Sequence, residues 1–179
     1  MDLIYYYLPA LETVRDFMEL GGNVLFIIGF LTLFMWMLIL ERMIYLRSGH
    51  KRLAAQALFL WESRDDHKSW NAHQIRLRLI SQVSSRAERN IPLIQTCVAL
   101  CPLLGLLGTV TGMVEVFEVM AISGSGSPRS MASGVSKATI PTMAGMVAAL
   151  SGVAMATYLQ RKASRERELL ADNLYIGNK

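Results

Sequence analysis

Acidic residues are missing from most of this chain's length. The runs Ile91 to Val114 and Ala138 to Gln160 contain no Asp, Glu, Lys or Arg. Charged residues make up 18% of the 179 residues and hydrophobic ones 53%, and the mean hydropathy is +0.34. That balance excludes an ordinary soluble domain. Cysteine is scarce: Cys97 and Cys101 are the two present, one helical turn apart inside an apolar run. An i, i+4 pair does not offer easy disulfide geometry, and no further ligands lie nearby, so the two read as reduced packing residues and no metal site is expected. His50, His67 and His73 all fall in a polar segment, and the six-residue step from His67 to His73 is not helical ligand spacing. No G-x-S-x-G, H-E-x-x-H or G-x-x-x-x-G-K-[ST] pattern occurs. Hydrolase, zinc-protease and P-loop readings therefore lack support, and the chain is expected to be neither an enzyme nor dependent on a cofactor. A basic N-terminal region of the kind that starts a cleavable signal is also lacking, since Asp2 follows Met1. The first apolar run is thus expected to stay as an anchor.

What remains is three long apolar runs. At about 1.5 Å per residue, a run of some twenty residues crosses the roughly 30 Å hydrocarbon core of a bilayer. The expected organisation is an N-terminal segment over 1–20, spans over 21–41, 91–120 and 132–159, a cytoplasmic helical segment over 42–90, an outer turn over 121–131 and a cytoplasmic tail over 160–179. Leu11, Val14, Phe17 and Met18 can share one face of an amphipathic helix at the outer boundary. Ten Lys or Arg lie between Arg42 and Arg89, and Arg161, Lys162, Arg165 and Arg167 follow the last run. By the positive-inside rule the N-terminus is outside and the C-terminus inside. The basic excess reads as topology, and no nucleic-acid motif accompanies it.

The polar segment has its own periodicity. Leu53, Ala57, Leu58 and Trp61 repeat at helical spacing, as do Ile75, Leu79 and Val83, with a polar turn expected at Arg64, Asp65 and Asp66. Fewer than fifty residues make a marginal core alone. These helices are expected to pack on extensions of the membrane helices and on sister subunits.

The last two runs carry the functional signal. Asn90 is a candidate cap for the second span, with Pro92 in its first turn. Gly105, Gly108 and Gly112 in one span, and Gly145 and Gly152 in the next, form small-residue faces that let helix backbones approach closely. Pro102 and Pro141 each remove a backbone donor and mark expected kinks. Thr109 and Thr142 are the hydroxyls expected on a polar track between the two helices. The outer turn is read at Ser123 to Pro128. Counting outward, Glu115 is about 9 Å from Thr109 and Lys137 about 7.5 Å from Thr142 at helical rise. The two charges fall at similar depth near the outer mouth, so Lys137 is expected to pair with Glu115 or, one turn farther out, Glu118, and so to seal that mouth and hold the two helices in register. A lysine that snorkels to outer water is the alternative.

A proline-led LLGLLGTVTGM stretch followed by GVSKATIPTMAGMVAAL resembles the MotA/TolQ/ExbB proton-channel family. The motif resemblance covers Pro102 to Gly152, and three spans with this charge order resemble the ExbB and TolQ branch. The resemblance implies an all-α inner-membrane protein, a homo-oligomer (a pentamer) bundled around a central pore. It implies an ExbD-type single-span partner within that pore, and a TonB-type protein energised by proton flow for outer-membrane nutrient uptake. It also implies that Thr109 and Thr142 line the pore. A TolQ-like envelope-maintenance motor and a passive membrane scaffold are the alternatives. Many members carry a glutamate in a G-[IV]-x-E-A context where this chain has Lys137, in GVSKA. The polar segment is also shorter than in longer members, which leaves room for an additional partner.

Overall fold

A computed structural model of the chain describes residues 2–63, 69–123 and 128–174, apart from the side chains of 2–16, 19–20, 48, 50–52, 123, 128–130 and 133. The described residues are almost wholly helical, and no strand occurs among them. The elements are α1 (Asp2–Ile44), a π-helical turn (Tyr45–Gly49), α2 (His50–Glu62), α3 (Trp70–Glu88), α4 (Ile91–Ser123) and α5 (Pro128–Asn173). Three helices are long and apolar enough to cross a membrane. The polar turn expected at residues 64–66, and His67 with it, lie outside the described residues, as does most of the outer turn expected at 123–128.

Helices run farther than hydropathy alone indicates. The first span is part of α1, which starts at Asp2 and is broken in its backbone only at Gly22 (φ +64°, ψ −165°). A side chain would be strained there, so glycine permits the break. The third span continues to Asn173, because hydropathy detects the membrane crossing and not the polar helix beyond it. Both α4 through Pro102 and α5 through Pro141 remain single helices.

The contacts fall into two units, residues 1–35 with 96–152 and residues 36–95 with 153–179. In the first, α4 and α5 run antiparallel along a seam of small residues. Gly105 meets Thr142, Gly108 meets Pro141, Gly112 meets Ala138, and Gly145 meets the backbone of Cys101. The α4 positions recur three and four residues apart, which keeps one stripe against the partner helix. Leu31 of α1 packs on Cys101, Ala148 and Ala149. The thiols of Cys97 and Cys101 are free and buried. Leu103, Leu106, Val110 and Phe117 of α4 point outward, the arrangement expected where lipid or another subunit replaces water.

In the second unit, Ala57, Trp61, Ala72, Ile80, Val83, Leu170 and Leu174 form one buried cluster. The segment between the first two spans thus packs on the far end of α5 and the residue after it, which supply Leu170 and Leu174. Arg76 fastens that end: Nε donates to the Leu174 carbonyl at 2.6 Å and Nη2 to the Ala171 carbonyl at 2.8 Å. These are carbonyls that a helix C-terminus leaves without intrahelical donors. Arg42, 4% exposed, donates to the Arg86 carbonyl at 2.9 Å and lies 5.1 Å from the centroid of the Tyr45 ring. Asn90 takes a left-handed conformation (φ 70°) between α3 and α4, and its carbonyl accepts from the Ile94 amide at 3.0 Å. The Asn90 side chain donates to Glu41 at 3.0 Å, so its amide joins α4 to α1 instead of capping α4.

Candidate functional site: the seam of α4 and α5

The glycines set how closely the two helices approach. A Cβ on Gly145 would stand 2.5 Å from the Cys101 carbonyl oxygen and 3.3 Å from the Cα of Gly105. A Cβ on Gly105 would stand 3.0 Å from the Cα of Thr142. Backbone lies against backbone here, so no side chain can move aside. Farther along the seam, Gly152 faces Val98 and Met35.

That approach brings Thr142 within reach of α4. Its hydroxyl donates to the Gly105 carbonyl at 2.8 Å. In an α-helix the same carbonyl accepts from the amide four residues on, which is that of Thr109. The two threonines thus share one acceptor, Gly105, across the seam. The Thr109 hydroxyl donates to the Leu106 carbonyl of its own helix at 2.7 Å. Both hydroxyl protons are occupied, and the oxygen lone pairs remain as acceptors. Both residues are half-buried. Hydrogen bonds between side chain and backbone across a glycine seam leave no pattern in a sequence, so the Gly105 acceptor was not legible there.

Lys137 and Glu115 also meet. Nζ lies 3.3 Å from Oε2, with the lysine side chain 44% and the glutamate 63% exposed. Glu118 takes no part in that pair. A Cβ on Gly22 would lie 4.0 Å from the Cε of Lys137, so the α1 break borders the pair. At about 100° per residue, Lys137 is rotated about 140° from Thr142 around α5, and Glu115 about 120° from Thr109 around α4. The pair therefore occupies the seam edge beside α1, and the threonines occupy the opposite edge. Equal depth, which the count of residues predicts, is not equal direction.

The arrangement is a closely packed helix pair with hydroxyls on one edge, an ion pair at one end and no carboxylate in the uncharged runs. The comparison with known families decides what it belongs to. Residues 44–172 match the MotA/TolQ/ExbB proton channel family. The chain belongs to this family. Among its relatives, the putative biopolymer transport protein ExbB-like 1 of Synechocystis is 39% identical over 90 residues, 49% of this chain and 35% of the relative. The biopolymer transport protein exbB1 of Vibrio cholerae is 42% identical over 78 residues, 43% of this chain and 34% of the relative. ExbB-like 3 of Synechocystis is 29% identical over 102 residues, 53% and 49% of the two chains. The chain spans about a third to a half of the length of these curated relatives.

Proposed function

We propose that this chain is the ExbB-like subunit of a proton-driven motor in the bacterial inner membrane, with its N-terminus periplasmic and its C-terminus cytoplasmic. Several copies surround a pore that holds ExbD-type single-span helices, and proton flow through the assembly energises a TonB-type protein for nutrient uptake. The observation that carries the reading is the Thr142 hydroxyl on the Gly105 carbonyl, which couples the two threonines at one edge of the seam. With Thr109 and Thr142 facing the pore, their lone pairs orient water along the wall. Threonine does not titrate usefully near neutral pH, and the uncharged runs hold no carboxylate. The group that takes and releases the proton therefore comes from the partner.

In this reading the Gly105, Gly108, Gly112, Gly145 and Gly152 faces hold α4 and α5 together, and the Lys137–Glu115 pair keeps them in register at their outer ends. The edge on which the pair sits favours this structural role over sealing the mouth of the pore.

Vesicles holding the chain with and without its single-span partner test the proposal. Proton flux should require both. Thr109→Val and Thr142→Val keep the side-chain shape and lose the hydroxyl. Each should preserve assembly and sharply reduce TonB-type energisation. Normal uptake by both variants at normal expression would remove the threonine track from the mechanism. Intact oligomers with partner bound but no flux would support a passive scaffold instead.

A further inference from the structure

A groove of about 780 Å³ opens beside the start of α4, and nothing in the proposed function uses it. Its walls include Ser81, Ser85, Glu88, Arg89, Arg167 and Leu93. Among the described residues, the guanidinium groups of Arg89 and Arg167 have no hydrogen-bond or ion-pair partner, while Glu88 already accepts from the Ser84 hydroxyl at 3.1 Å. The polar wall thus offers two unspent cations and the exposed hydroxyls of Ser81 and Ser85. Leu93 forms an exposed apolar lip. In the sequence, charge stops at Arg89 and the uncharged run begins at Ile91. The groove therefore stands where a membrane-spanning helix leaves polar surroundings for hydrocarbon.

We infer that this groove holds the headgroup of an anionic phospholipid from the leaflet on the basic side of the protein. The phosphodiester lies against Arg89 and Arg167. Guanidinium is the side chain best matched to phosphate oxygens, because its planar donors form paired charge-assisted bonds. The serine hydroxyls donate to the remaining headgroup oxygens, and an acyl chain leaves over Leu93 into the membrane. Three features together favour a lipid over a soluble anion: two guanidinium groups against the single Glu88 carboxylate, an apolar lip, and a place at the boundary where anionic headgroups are concentrated.

Native mass spectrometry of the purified, detergent-solubilised full-length oligomer tests this. Phosphatidylglycerol, phosphatidylcholine with the same chains, and sn-glycerol 3-phosphate are titrated separately. Phosphatidylglycerol should bind at up to one per subunit and clearly more tightly than phosphatidylcholine, while glycerol phosphate stays unbound over the same range. Each basic residue near an anionic lipid contributes roughly a five-fold preference, so Arg89→Gln with Arg167→Gln should lose about 25-fold. Arg89→Lys with Arg167→Lys keeps the charges and should retain most of the preference. Arg165→Gln, a basic residue outside the groove, should leave it unchanged. Equal binding of the two lipids, an undiminished preference in the Gln variant, or equally tight binding of glycerol phosphate would each overturn the lipid site. So would failure of any lipid to bind, the outcome if a second copy of the chain fills the groove.

Discussion

Replacing Gly145 by Ala adds a single methyl group to the seam. Its Cβ would stand 2.5 Å from the Cys101 carbonyl oxygen, where ordinary carbon–oxygen contact needs about 3.3 Å. The obstruction is backbone, so α4 and α5 must move apart by roughly 0.8 Å at this level. The Thr142–Gly105 bond, 2.8 Å long and one turn away, would stretch past hydrogen-bonding distance. Overpacking costs about 1–3 kcal/mol, and the lost interhelical bond about 0.6–2 kcal/mol. Against these stands the helix preference for Ala over Gly, about 1 kcal/mol. The net expectation is destabilisation of about 1–4 kcal/mol. Gly29→Ala is the matched control, because its Cβ would meet only the Met18 methyl at an ordinary 3.7 Å. It keeps the propensity gain without the clash, and should be neutral or stabilising by up to about 1 kcal/mol. Reversible unfolding in mixed detergent micelles, followed by helical circular dichroism, measures both. If Gly145→Ala unfolds at the same point as Gly29→Ala, contact between backbones is not what sets this seam.

Two further substitutions test other contacts. Lys137→Glu sets two acidic groups together where an exposed pair now stands, and should cost about 0.5–1 kcal/mol. Adding Glu115→Lys should recover most of that in the same unfolding assay, and a swap that restores nothing removes the pair as a register device. Arg76→Ala strips the donors from the Ala171 and Leu174 carbonyls, and should cost about 1–3 kcal/mol and release the end of α5. Amide hydrogen exchange at residues 165–174 reads this directly, and unchanged protection there would show that the apolar cluster holds the end without the arginine.

Periodicity exposed much of the second unit's core. Ala57, Trp61 and Val83 are buried there, at spacings visible in the chain. Ile80, buried in the same cluster, does not stand out by spacing, because it sits between Leu79 and Val83 in a stretch apolar on more than one side. Leu170 and Leu174 lie in a segment whose arginines and glutamates mask its apolar stripe. The pairing of Lys137 with Glu115 rests on rise per residue alone, a local quantity that counting supplies. The edge of the seam on which the pair lies rests on rotation around two helices at once.

Hydropathy, charge order and the two glycine-rich runs determined by themselves that this is an all-helical membrane protein with three spans. Those features depend on transfer of each segment into hydrocarbon, which is local and additive along the chain. Tertiary structure decided the rest. The shared Gly105 acceptor, the Arg76 clamp over 95 and 98 residues of separation, and the opposed edges of threonine and ion pair all depend on which face meets which. Contact between distant residues follows from the packing of whole helices, and no window of sequence contains it.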